Sequence, residues 1–178
     1  IAFTTQLAEK IGPSSRYVHL GLTSSDVVDT SWALRMAKAC AIIDDDLKQI
    51  VRELRKLAKR HARTIMIGRT HGMHAEPTTF GMKCLVWLKE FERHQERFRA
   101  ARKNVCVGKI SGAVGTMAHT GPKLEEAVCK KLKLGVAPAS TQIVQRDRHA
   151  EFLSTLAVIA SSIEKIAVEI RSLQRPEI

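Results

Sequence analysis

Apolar residues recur along this chain at alternating spacings of four and three. Phe152, Leu156, Ile159, Ile163, Ile166, Ile170 and Leu173 make one such series. Ile43, Leu47, Ile50, Leu54 and Leu57 make a second, and Phe80, Cys84, Trp87, Phe91, His94, Phe98, Ala101 and Val105 a third. That spacing lays an apolar stripe along one face of a helix. Its mean period of 3.5 suits long helices packed at shallow angles. The third series predicts a helix over 78–106, ~40 Å long at 1.5 Å per residue. Rods with seams this long suggest a core shared between subunits. No strand-like alternation of useful length is found. The fold class expected is all-α, a long helix bundle.

The breaks between rods are specific. GLTSSD (21–26) ends in Asp26, expected as the N-cap of a helix beginning DVVDTSWALRM. GRTHGMHAEP ends in Pro77, expected in the first turn of the next helix. KISGAVGT (109–116) holds small, flexible positions, and LGVAPASTQ (134–142) precedes a helix expected to start near Arg146. Three of these four connections are rich in hydroxyls, glycine or histidine, and loops on rigid scaffolds are where function tends to sit.

The length, 178 residues, fits one domain with a sizeable core. No apolar run approaches the ~18 residues that span a bilayer, so no membrane partner is expected. The opening IAFTTQLAEKIG has no secretory signal pattern and no initiating Met; it reads as the end of a helix already under way. Cys40, Cys84, Cys106 and Cys129 form no CxxC pair and lie in apolar helical contexts. They are expected as small buried hydrophobes in a cytoplasmic protein. The net charge of +11 is spread over KLAKRHAR, ERFRAARK and KKLKL, on different helices, and the chain has one Tyr. Without interleaved aromatics to stack bases, the charge reads as solvated helix faces that also attract an anionic substrate.

The stretch GRTHGMHAEPTTFG (68–81) concentrates the chemistry. His71 and His74 give H-x-x-H with Glu76 nearby. Gly68, Gly72 and Pro77 argue against the regular helix on which such a pair would bind metal, and the position of a metalloprotease's base holds Gly72 or Met73. A catalytic reading fits better. A histidine in a glycine-flanked turn can face a cleft and exchange protons near neutral pH. Thr70 can donate to an anion. Thr23, Ser24 and Ser25 stand at another helix start, where unpaired N–H groups favour negative charge. Each hydroxyl taken alone is accounted for by ordinary capping.

GLTSSDVVDT, GRTHGMHAEPTTFG, GKISGAVGT and STQIVQRDRHA, in this order and spacing, resemble the adenylosuccinate lyase family of the fumarase/aspartase superfamily of β-eliminating lyases. The resemblance covers nearly the whole chain. It implies that residues 1–178 are the central helical-bundle domain of a three-domain subunit, with the N-terminal and C-terminal domains absent. It implies a homotetramer with a twenty-helix core, each active site drawing on three subunits. It implies cleavage of adenylosuccinate to AMP and fumarate, the parallel cleavage of a succinyl-carboxamide ribotide in purine synthesis, and no metal or organic cofactor.

Carried over by position, His71 matches the general acid that protonates the leaving nitrogen, and Thr70 a substrate contact. Thr23 and Ser24 match the pair that binds the succinyl part, Gln142 the substrate-binding glutamine, and His19 a histidine near the substrate. His74 is expected to be structural, at the helix entry, and His149 to serve an ion pair or an interface. The family's G-S-S-x-M-P-x-K-x-N loop, with its serine base, has no counterpart in the sequence, so the isolated chain is expected to be inactive. Two other classes stay open: a basic helical nucleic-acid-binding module and an oligomerisation module.

Overall fold

The computed structural model describes residues 1–176; residues 177 and 178, the end of the expected central domain, lie outside the described residues. Among the described residues the architecture is mostly helical: α1 (Ala2–Ile11), a 3-10 turn (Gly12–Tyr17), α2 (Ser24–Arg60), α3 (Phe80–Val105), α4 (Pro122–Leu132) and α5 (Asp147–Ser172). Strands β1 (Ile65–Thr70) and β2 (Met73–Thr79) pair antiparallel, and the two-residue strands β3 (Val107–Gly108) and β4 (Gly135–Val136) pair in parallel. The all-α expectation holds. No helix among the described residues is long and apolar enough to cross a membrane.

The residues group into two compact units. One comprises Ile1–Ala37 with Val105–Arg146; the other comprises Lys38–Asn104 with the chain from Asp147 onward. The first contains two small cores. Ala33, Cys129 and Leu134 are buried together, with Leu34, Ala37, Cys106, Leu132 and Val136 packed around them. Val107, Ala137 and Val144 form the other. The face that α2 buries here is polar in its first turns: Asp26, Asp29 and Thr30 are withdrawn from water while Val27, Val28 and Trp32 are about half exposed. An apolar stripe would not have found that face.

In the second unit the predicted seams are where the core lies. Leu47 and Leu54 of α2, Cys84, Trp87, Phe91, His94, Phe98 and Ala101 of α3, and Phe152 and Ile159 of α5 are all buried. Phe98 is fully enclosed, its ring 6.2 Å from that of Phe152. The seam of α5 is only partly covered: Ile163 and Ile170 remain about half exposed. Predicted as 78–106, α3 runs Phe80–Val105.

The structure corrects the reading of residues 65–79, where no strand was expected. They form a β-hairpin in the register Ile65↔Thr79, Ile67↔Pro77, Arg69↔His74 and Thr70↔Met73, with an irregularity between Ile67 and Arg69. Pro77 therefore sits in β2 and not in the first turn of α3. A two-stranded ribbon has only edge strands, so a proline is tolerated there. The cap of α3 is Thr79, whose hydroxyl accepts the Met82 N–H at 3.1 Å. The hairpin lacks a fully buried face, so its sequence carries no apolar alternation to betray it. His74, expected at a helix entry, is the second residue of β2.

Candidate active site

The hairpin turns at His71 and Gly72, between the paired residues Thr70 and Met73. Both turn residues have positive φ, 55° at His71 and 74° at Gly72. A two-residue turn of the I′ kind demands that geometry, because its twist matches the strands it joins. Glycine takes it freely; for histidine it costs of the order of 1–3 kcal/mol. The sequence thus spends stability to put an imidazole at the exposed tip of the hairpin. Thr70, also exposed, is the last residue of β1. His74 is otherwise engaged: the Arg69 guanidinium donates to its Nε2 at 3.0 Å across the ribbon. The two histidines of H-x-x-H therefore have different surroundings, and among the described residues no group of His, Cys, Asp or Glu side chains converges as a metal site.

The other candidates belong to the first unit, and there the structure brings their loops together. His19 is exposed, with φ 64°, and its carbonyl accepts the Leu22 N–H at 3.3 Å. Thr23 precedes Ser24, the first residue of α2, so Thr23 is the N-cap and Asp26 the third helical residue. This corrects the assignment of Asp26 as the cap. Its carboxylate reaches back to the Thr23 N–H at 2.9 Å, half of a capping box. It does much more than cap. It also accepts the N–H groups of Ser111 (3.2 Å) and Gly112 (3.1 Å) and pairs with the Lys109 ammonium, with neither side chain exposed. Lys109 donates in addition to the Gly112 carbonyl at 3.1 Å.

Gln142 comes from the third loop. That loop is tied in by the Ser111 and Ser140 hydroxyls, 2.8 Å apart, and by the close approach of Gly115, where any Cβ would overlap the Ser140 carbonyl oxygen. Its far end is fixed by Asp29, which accepts the Val144 N–H at 2.9 Å and both terminal nitrogens of Arg146 at 3.1 and 3.0 Å. Gln142 itself is exposed. His19, Thr23, Ser24 and Gln142 thus stand on loops bonded to one polar framework. Thr70 and His71 belong to the other unit.

Sequence reading missed Lys109, Asp29, Thr30 and Ser111. The available signal was Asp26 and Asp29 three apart at a helix start, which places both on one face. The Thr30 hydroxyl bonds both the carbonyl and the N–H of Lys109, at 3.0 and 3.1 Å. The Nδ1 of His149, expected in an ion pair or an interface, is buried with no hydrogen-bond partner among the described residues. None of the four cysteines is in a disulfide. Burial pushes the Cys84 thiol up from its ordinary pKa, and burial together with Glu125 does the same to Cys129. Neither is a ready nucleophile.

A family model described as lyase matches residues 1–178. The chain belongs to that lyase family. It is 53% identical over 178 residues to a protein named adenylosuccinate lyase from Aquifex aeolicus (strain VF5), and 52% identical over 177 residues to one of the same name from Bacillus subtilis (strain 168). Those matches cover 100% and 99% of this chain, which spans 41% of the length of each relative. Among solved structures, a fumarate lyase from Mesorhizobium sp. BNC1 superposes with a TM-score of 0.91 at 35% identity, over 99% of this chain and 42% of that one.

Proposed function

We propose that the whole protein is an adenylosuccinate lyase. On this reading it eliminates fumarate from adenylosuccinate to leave AMP, and from the succinyl-carboxamide ribotide by the same chemistry. The observation that carries the proposal is the match over essentially the full chain to relatives of that name at 53% and 52% identity. The placement of His71 supports it.

In the elimination a base removes the proton from the carbon next to a carboxylate. The electron pair delocalises onto that carboxylate, then forms the new double bond as the carbon–nitrogen bond breaks. The nitrogen leaves with a proton. His71, at the exposed tip of the hairpin and without the arginine hydrogen bond that engages His74, is the proposed donor of that proton. Thr70 beside it is the proposed substrate contact. Thr23 and Ser24, at the start of α2, are proposed to hold the succinyl part, where backbone N–H groups add their attraction for negative charge. Fixed donors of this kind stabilise charge as it grows on the carboxylate. Gln142 and His19 complete the proposed substrate contacts. No cofactor takes part.

A homotetramer with active sites shared between subunits is part of the proposal. Its support is the apolar surface that the second unit leaves open. A groove of about 240 Å³ there is lined by Ile50, Leu54, Phe91, Ile163, Ile166 and Ile170. Incubating the full-length protein with adenylosuccinate tests the activity. Stoichiometric fumarate and AMP are expected, and the absence of both would overturn it.

A further inference from the structure

We infer that Asp26, clamped by Lys109, is a positioning residue that sets the Thr23 loop against the 109–115 loop. The inference rests on the functional reading above, which gives the Thr23 loop its work. Asp26 is fully buried and accepts from three backbone N–H groups in two separate loops while neutralising an ammonium that is itself fully buried. A cap needs one of those bonds, the one to Thr23. The other two draw Ser111 and Gly112 onto the start of α2, and Lys109 closes the ring by donating to the Gly112 carbonyl. Through Ser111 the same framework reaches Ser140, two residues before Gln142.

A carboxylate is needed here, and an amide cannot replace it. Asparagine is nearly the same size, but it offers one acceptor oxygen and turns an NH₂ toward donors on the other side. Asp26→Asn would leave at least one backbone N–H, or the Lys109 ammonium, facing another donor. The two loops would separate, and a misplacement of about 1 Å costs ~10²-fold in rate. Because donors to the substrate carboxylate matter most as charge develops, the loss should fall on kcat more than on KM.

The experiment uses the full-length protein carrying Asp26→Asn, and separately Asp26→Asn with Lys109→Met. The double variant removes the unpaired buried ammonium, and with it the main reason for the single variant to misfold. It does not restore the acceptor for the loop N–H groups. The double variant should fold and assemble like the wild type, and the single variant should be the less stable of the two. Both should show kcat lowered by roughly 10²-fold, with KM changed much less. Amide hydrogen exchange should rise in peptides covering 19–25 and 109–117 and stay unchanged in α3. Recovery of kcat to within threefold of wild type in the double variant would overturn the inference, since only fold stability would then depend on Asp26. Unchanged exchange in both loop segments would overturn it equally. If the wild type itself released no fumarate, the functional reading would fall, and the exchange measurement alone would decide whether Asp26 sets the loops.

Discussion

His94 Nε2 lies 2.8 Å from Ser162 Oγ, and that hydroxyl in turn donates to Glu90 at 2.6 Å. The order of the bonds fixes the imidazole's state. Ser162 gives its proton to the carboxylate and so accepts from Nε2–H. Nδ1 then faces Arg97, a donor, at 3.4 Å. His94 is a neutral ring buried among Phe91, Glu90, Arg97 and Ser162, and a polar link from α3 to α5 within the apolar seam.

The pH dependence of stability follows. Burial pushes the His94 pKa below its ordinary value; Arg97, Arg93 and Lys165 act in the same direction and Glu90 opposes them. The unfolded chain takes up a proton near pH ~6.5, where the folded one resists it. Stability from this group is therefore complete above pH ~6.5 and is lost as the pH falls toward the folded value. Urea unfolding at stepped pH should show this decline in the wild type and a flatter profile in His94→Gln below about pH 6.5. Equal slopes in the two proteins would remove His94 as the cause. Glu90 acts in a lower window. Burial raises its pKa, but the bonds from Lys165 and Ser162 outweigh burial and leave it lowered, so its contribution is lost only below about pH 4.3.

The two histidines of the hairpin should part company in the full-length protein. General acid catalysis is worth roughly 10²–10⁴-fold. His71→Ala should lower turnover by that order with helical content and assembly unchanged. His74→Ala loses only the bond from Arg69 and should be milder. Steady-state fumarate release reads both, and a reversed ranking would exchange their roles.

Phe98→Ala empties a fully enclosed site of the second unit. Truncation of a buried phenylalanine costs ~3–5 kcal/mol. Denaturant unfolding should show a lower midpoint with the slope unchanged. A loss below about 1 kcal/mol would mean that the surroundings collapse into the space.

The chain should self-associate. Ile42, Val86 and Leu153 are more than half exposed, besides the open groove along α5. Large apolar side chains left in water in this way favour association. Sedimentation equilibrium at micromolar concentration should give a species larger than the 19.8 kDa monomer. A well-folded monomer would refute this.

The long helices were legible because their buried positions are apolar and evenly spaced. Even His94 was assigned to the seam by position alone, against its residue type. The hairpin was not legible, because strand pairing without a buried face leaves no periodic trace, and its Gly and Pro read as a loop. The candidate site was half legible. Thr23, Ser24, Thr70, His71 and Gln142 stand in hydroxyl-, glycine- and histidine-rich breaks that local chemistry can flag. The framework beneath the first-unit loops joins Asp26 to Lys109 and Asp29 to Arg146, and pairings across such separations have no local signature.

That framework also governs the order in which the molecule can complete itself during synthesis. Asp26 and Lys109 are 83 positions apart, and Asp29 and Val144 are 115 apart. At the ~5–20 residues per second of a ribosome, Asp26 waits about 4–17 s for its counter-charge to be made. Until then the start of α2 carries ionised carboxylates on the very face it will bury, and those groups must stay in water. The polar framework of the first unit is therefore complete only when the chain has been made through Arg146.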